Sequence, residues 1–321
     1  MTKMAETSLR AVDVTVGVEK RTGLFRRKTV DLLVEAGLTV RPGEVVGLVG
    51  ESGSGKTTLA RTLVGLRTPR AGSVQLGDTD VYALGAAARR RLIASQIGVV
   101  FQDPRSSLNR RLTIAELIED PLVVQHWDAS RRAKRVDELL DAVGLPRSTG
   151  TRKPFQISGG QLQRVALARA LALGPNFLIA DEPTSALDVS VQAQILNMIV
   201  DLRAQYPVGM LIITHDIRVL RFLSDRIVVL YLGRVVESGP TEQVVSRPRH
   251  PYTAALLSAV PRVEGAPVER RRLKGSAPHP SARPSGCPFR DRCWKATDAC
   301  SGPMPEVRQG EQVAYCVHPE P

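Results

Sequence analysis

Gly50-Glu51-Ser52-Gly53-Ser54-Gly55-Lys56-Thr57 has the spacing G-x-x-x-x-G-K-T, which wraps a backbone around a chain of phosphates. Glycine-rich backbone can turn successive N–H groups toward one anion. The helix expected over Lys56 to Leu66 adds its positive N-terminal end. Lys56 is placed to reach the β- and γ-phosphates, and the Thr57 hydroxyl to ligate Mg²⁺. Thr58 completes the nucleotide-contacting run. A loop of this kind works only between a strand and a helix, and both flanks are present. Val45-Val46-Gly47-Leu48-Val49 is a short, apolar, branched run, as a buried parallel strand requires.

A second set of N–H donors follows at Ser158-Gly159-Gly160-Gln161. Leu162, Val165, Ala166, Ala170 and Leu173 recur at helical spacing, so Ser158 caps a helix N-terminus where phosphate can be met.

The elements around these motifs alternate. Strands are expected at 9–16, 33–40, 73–76, 97–101, 177–181 and 210–214, the last ending at His215. A basic turn at 21–28 separates the first two. Helices are expected over 86–93 and 189–204. From Leu112 to Val143 the pattern is helical, broken at Pro121 and at Asp128-Ala129-Ser130, and the helical region closes over 154–158. Strands alternating with helices make an α/β fold with a mostly parallel sheet.

The 321 residues allow two domains, or one large domain with an appendage. Hydrophobic content of 43% and charged content of 24% suit a soluble globular protein. No apolar run approaches the ~18 residues of a membrane helix. The first six residues lack the apolar core of a signal peptide, so a cytoplasmic location is expected. The net charge is +12, and residues 262–295 hold nine Lys/Arg against three Asp/Glu. A basic excess suits nucleic acid or an anionic membrane surface. With aromatics at 4%, stacking on single strands is disfavoured, and a membrane-adjacent surface is the preferred reading.

After Val236, Pro, Arg and Ser accumulate. Cys287, Cys293, Cys300 and Cys316 follow with the spacing C-x₅-C-x₆-C-x₁₅-C. In a reducing compartment, clustered thiols favour metal over disulfides. Zinc modules use tighter C-x₂₋₄-C pairs, whereas Cys₄ ligation of an iron–sulfur cluster tolerates the looser spacing. A [4Fe–4S] cluster is therefore expected, with zinc and free thiols as alternatives.

In this order, the motifs resemble those of the nucleotide-binding subunit of ABC transporters, from about residue 8 to 320. The resemblance implies a P-loop NTPase of ABC type, with a mostly parallel sheet core, an antiparallel β subdomain and an inserted helical subdomain at about 105–157. It places the ATPase domain at 8–260 and a Pro/Arg-rich extension at 261–321. Phe177 to Asp181 looks like the Walker B strand. Asp181 would hold Mg²⁺ and Glu182 would orient or deprotonate the attacking water. Gln102, in Phe101-Gln102-Asp103-Pro104, resembles the Q-loop glutamine that senses Mg²⁺ and γ-phosphate. His215 resembles the switch histidine. Ile157-Ser158-Gly159-Gly160-Gln161 resembles the signature motif, with Ile in place of Leu, and would complete the site of a partner subunit. Ser185-Ala186-Leu187-Asp188 resembles the D-loop along that seam.

The adenine-stacking aromatic usual near the end of the first strand is missing from Thr15-Val16-Gly17-Val18, which leaves Phe25 as the candidate. His250-Pro251-Tyr252-Thr253-Ala254-Ala255-Leu256-Leu257 resembles a segment that marks oligopeptide/dipeptide importers, as do Phe101 to Pro104 and Ser107-Leu108-Asn109. Some relatives of that subfamily carry a [4Fe–4S] cluster. Arg290, Arg292 and Lys295 would offset its charge.

The implied partners are a second ABC ATPase subunit, two transmembrane permease subunits and, indirectly, an extracytoplasmic solute-binding protein. The implied location is the cytoplasmic face of the membrane, without nucleic acid. A soluble ABC-type ATPase acting on DNA or ribosomes is the competing class, but the coiled-coil insertions or fused halves usual there are absent. A redox-sensing module dominated by the cysteines is a third.

Overall fold

The computed structural model describes residues 7–21, 27–185, 187–259, 273 and 275–321. Phe25 with the tip of the basic turn, Ala186, and residues 261–272 at the start of the extension lie outside the described residues.

Strands β1 (Leu9–Arg21) and β2 (Arg27–Val40) run further toward the intervening turn than expected. Next come β3 (Val45–Val49), α1 (Lys56–Leu63), β4 (Ala71–Leu76) and β5 (Thr79–Asp80). Helix α2 (Ala86–Gln96) runs directly into β6 (Ile97–Val100). Then follow α3 (Pro104–Ser107), α4 (Ile114–Val124), α5 (Ala129–Ala142) and α6 (Gly159–Ala170). Strand β7 (Phe177–Asp181), α7 (Val189–Gln205), β8 (Gly209–Thr214) and α8 (Ile217–Leu223) alternate after them. The chain continues through β9 (Arg226–Tyr231), β10 (Arg234–Pro240), α9 (Thr241–Ser246) and α10 (Pro251–Ser258). A hairpin of β11 (Glu306–Gln309) and β12 (Gln312–Tyr315) lies near the C-terminus.

These elements form two compact units. The first comprises Met1–Thr39, Val46–Ala83 and Thr214–Pro321. It holds an antiparallel sheet in the order β2-β1-β4-β5. Between Val12 and Thr15 the register of β1 against β4 shifts, and Asp13 there takes a positive φ of 48°. That is the signature of a bulge, which bends a strand locally. Elsewhere in this unit β3 runs parallel to β9, with Val46 opposite Arg226 and Val49 opposite Val229. All five residues of β3 are buried, as an apolar parallel strand demands. Strand β9 pairs antiparallel with β10, and β10 with β12 through Glu237↔Ala314 and Ser238↔Val313. The C-terminal hairpin therefore adds strands to the sheet that carries the phosphate loop.

The second unit comprises Val40–Val45 and Leu84–Ile213. Strands β6, β7 and β8 are parallel in it, with Phe177 opposite both Ile97 and Gly209. Helices α4 to α6 form a helical layer. Thr113 and Glu116 close a capping box at the start of α4, and Asp128 caps α5 through Arg131 N–H. Leu117, Ile118 and Leu122 of α4 and Val136, Leu139 and Leu140 of α5 are buried. Pro121 does not break α4, contrary to expectation. The helix ends within one turn of it, so only one ladder hydrogen bond is given up.

Candidate functional site

In the first unit, β3 delivers the chain to Gly50 and α1 begins at Lys56. A Cβ at Gly50 would lie 2.1 Å from the Leu230 carbonyl oxygen, so no larger residue fits. Gly53 and Gly55 take positive φ values of 77° and 108°, where side chains are strained. Ser54 N–H donates to Glu51 O at 3.1 Å, and Gly233 N–H donates to Ser54 O at 2.7 Å. Lys56 is buried, and its ammonium donates to the Gly50 and Glu51 carbonyls at 2.7 and 3.0 Å. Helix α1 has neither a side-chain cap nor an acid in its first turn. Its N-terminus is therefore left positive and suited to an anion.

His215 lies exposed just beyond β8, and Asp216 caps α8 by accepting from Arg218 N–H at 2.9 Å. The Arg218 guanidinium bonds the Asp216 carboxylate at 2.7 Å and holds its pKa below the usual range.

In the second unit, β7 ends at buried Asp181 and the chain turns sharply at Glu182, whose φ of 48° is unusual for a non-glycine residue. Such a conformation costs about 1–3 kcal/mol and gathers at functional positions. Glu182 N–H is held by Ile213 O at 2.8 Å. Gln102 Nε2 donates to Glu182 Oε2 at 3.0 Å, joining two expected site residues 80 positions apart.

Ser158 is exposed and caps α6. Gln161 N–H donates to Ser158 Oγ at 3.2 Å, and Ser158 N–H to Gln161 Oε1 at 3.0 Å. Gly160 faces α7, where a Cβ would meet Val191 Cγ1 at 2.4 Å. Asp188 caps α7 by accepting from Val191 N–H at 3.0 Å and Ser190 Oγ at 2.7 Å, which lowers its pKa.

The expected residues thus fall into two groups. Gly50 to Thr58 and His215 belong to the first unit, and Gln102, Ser158 to Gln161, Asp181, Glu182 and Asp188 to the second. The Thr57 hydroxyl, the Gln102 amide and the Asp181 carboxylate are oxygen donors of the kind Mg²⁺ takes.

Sequence reasoning missed two residues that touch the phosphate loop. Glu51 N–H donates to the Tyr252 hydroxyl at 2.8 Å, and the Glu51 carboxylate is paired with Arg292. Both partners lie far along the chain, and no local pattern announces them.

The four cysteines line one cavity of about 10 Å³ together with His250 and His318. None is in a disulfide. Burial pushes the Cys287 thiol up to about 12 and that of Cys316 up to about 11. Among the described residues, no group of three or more His, Cys, Asp or Glu could hold a metal ion. The expected [4Fe–4S] cluster, and zinc as its alternative, therefore gain no support from this geometry. The cavity has the volume of a single water, and buried thiols in apolar surroundings resist the deprotonation that ligation needs.

A glycine-lined phosphate cradle between strand and helix is the mark of a protein that binds a nucleoside triphosphate, and the second unit separately holds a carboxylate on a strained turn with its glutamine partner. Residues 33–185 match the ABC transporter family, and residues 236–300 match the oligopeptide/dipeptide transporter C-terminal region. The chain is 45% identical over 286 residues to a putative peptide import ATP-binding protein of Brucella ovis, covering 88% of this chain and 90% of that one. It is 42% identical over 311 residues to the oligopeptide transport ATP-binding protein AppF of Bacillus subtilis, covering 95% and 94%. A dimeric bacterial ABC transporter cassette superposes with a TM-score of 0.65 at 32% identity, covering 73% of this chain and 98% of that one. A dimeric post-hydrolysis cassette bound to ADP and Pi gives 0.64, also at 32% identity and with the same coverage. The chain belongs to the ATP-binding subunits of ABC transporters and is an ATPase of that type.

Proposed function

We propose that this subunit hydrolyses ATP to drive import of peptides, as an oligopeptide or dipeptide importer does. The observation that carries the chemistry is the Gln102–Glu182 hydrogen bond at the end of β7, on a chain whose phosphate loop is fully formed. Lys56 and the α1 N-terminus take the phosphates. Glu182 orients or deprotonates water for in-line attack on the γ-phosphate. Lys56 and His215 offset the charge that develops, and Thr57, Gln102 and Asp181 are the residues that would hold Mg²⁺, which would add its positive charge to theirs. The peptide class is supported by the relatives named above and by the match over residues 236–300.

We take residues 8–260 as the ATPase domain, with the helical subdomain at about 105–157, and 261–321 as its extension. Ser158, Gly159, Gly160 and Gln161 serve the phosphate loop of a second ATPase subunit, and Asp188 lies along the same seam. Two transmembrane permease subunits and an extracytoplasmic solute-binding protein complete the assembly, with this chain peripheral at the cytoplasmic face. Among the described residues no helix is long and apolar enough to cross a membrane. In vesicles holding the reconstituted complex, peptide should accumulate only with ATP and Mg²⁺. Accumulation without ATP hydrolysis would refute the reading.

The four cysteines carry a second, separable reading as ligands of an iron–sulfur cluster. This reading rests on the C-x₅-C-x₆-C-x₁₅-C spacing and the match over residues 236–300, not on the geometry around the thiols. A cluster is bound by thiolates on separate irons, a wider arrangement than a single-ion site. Iron and acid-labile sulfide assays on anaerobically purified protein test it, and absence of both would dismiss it.

A further inference from the structure

We propose that Arg292 of the C-terminal extension is a positioning residue for the phosphate loop, setting nucleotide affinity by fixing and neutralising Glu51. Glu51 is the second residue of the loop, so its carboxylate puts a negative charge on a segment built to meet an anion. Left alone, that charge would oppose ATP. Arg292 Nη1 donates to Glu51 Oε2 at 2.8 Å and Nη2 to Oε1 at 3.1 Å, a two-pronged pairing across 241 positions of chain. Paired forks of this kind fix direction as well as charge.

The pair is sheltered from water: the Arg292 side chain is 7% exposed and that of Glu51 24%. Screening by salt is therefore weak. Arg292 is itself held in place. It donates to the Tyr231 hydroxyl and the Gly275 carbonyl, each at 3.2 Å. Tyr231 packs against Tyr252 and Phe289, with ring centroids 4.5 and 5.3 Å away. Tyr252 in turn accepts the Glu51 N–H, so backbone and side chain of one loop residue are both fixed from beyond β10. Because the Glu51 carbonyl also accepts from Lys56, displacing Glu51 moves the group that docks the catalytic lysine.

The inference rests on the nucleotide site assigned above, and the experiment separates the two. Binding of a fluorescent ATP analogue would be measured on the purified full chain for the parent, R292M, R292K, E51Q and E51Q/R292M. R292M should bind roughly tenfold more weakly, because it leaves an uncompensated carboxylate in the loop. R292K keeps the charge without the fork and should fall between parent and R292M. E51Q should weaken binding only about threefold, and E51Q/R292M should match E51Q rather than R292M, since the repulsive charge is gone. In the assembled transporter, R292M should raise the KM for ATP by a similar factor and lower kcat less.

A role limited to folding the extension would lower thermal stability without this rescue. The proposal is overturned if R292M and R292K bind like the parent, or if the double variant binds as weakly as R292M. Should R292M fail to fold, R292K against E51Q/R292K supplies the same comparison. If the parent binds no ATP, the nucleotide-site assignment fails instead.

Discussion

Gln102 Nε2 and Glu182 Oε2 lie 3.0 Å apart, a hydrogen bond between the second residue after β6 and the first residue after β7. The glutamine holds one oxygen of the carboxylate that the mechanism assigns to the attacking water. Glu182→Gln keeps the size and the left-handed turn but removes the base. Turnover should fall by roughly 10²–10⁴, the usual contribution of a positioned acid–base group, with ATP affinity within about twofold. Steady-state phosphate release and nucleotide binding on one preparation check this. Hydrolysis at the parental rate would remove Glu182 from the mechanism.

Gly50 tests the cradle rather than the chemistry. Its α-carbon faces the Leu230 carbonyl so closely that an added Cβ would sit 2.1 Å from that oxygen and 2.7 Å from Ser54 Oγ. Gly50→Ala must push the loop away from β9. Nucleotide affinity should drop by roughly tenfold or more, about 1.4 kcal/mol or above. Equilibrium binding measures it, with circular dichroism to confirm that the fold survives. Unchanged affinity would mean that the loop is looser than its hydrogen bonds indicate.

The legible parts of this molecule are those whose logic is local. Val45 to Thr57 reads as strand, loop and helix because burial, glycine placement and helix start sit within thirteen positions. Ser158 reads as a cap for the same reason, and the structure adds the reciprocal bond from Gln161. The β9–β10 pair and the β11–β12 hairpin were not singled out in the sequence. Glu306–Gln309 and Gln312–Tyr315 are short and only partly apolar, so their strand character comes from pairing, including that of β12 with β10. The Arg292–Glu51 pair was equally out of reach, since the sequence sets Arg292 among the cysteines, where it reads as an offset to a cluster's charge, whereas in the structure it pairs with Glu51. Long-range pairing has no periodicity to reveal it.

Ser158 is exposed, and its Gly-Gly helix start is free of bulky side chains, as a surface completing a partner's site requires. If two copies of this chain pair, Lys56→Met and Ser158→Arg should each abolish turnover alone. Mixing them should restore it in part, because one of the two sites in a mixed dimer holds an intact Lys56 and an intact Ser158. About a quarter of parental turnover is the expectation, since half the dimers are mixed and half their sites are intact. No recovery, with mixed dimers shown to form, would place Ser158 outside the partner's site.

Glu237 gives a prediction in pH. This fully buried carboxylate on β10 accepts from Arg249 N–H and His250 N–H, each at 2.8 Å, and from Gln312 Nε2 at 2.7 Å. It thereby ties α10 and the C-terminal hairpin to the sheet. Glu237→Gln replaces one acceptor oxygen with a donor and should cost about 1–3 kcal/mol at neutral pH. Burial raises the Glu237 pKa above the ordinary range of a glutamate carboxyl in the folded chain. The folded state then binds the proton more tightly than the unfolded state. The resulting stability is fully present below the unfolded pKa and is lost as pH rises through the folded one. Glutamine at this position has no such dependence. The advantage of the parent over Glu237→Gln should therefore grow as pH is lowered from 7 to about 4.5, while groups common to both cancel. Paired denaturant melts across that range measure the difference, and a constant or shrinking gap would show that the three donors, not burial, dominate this carboxylate.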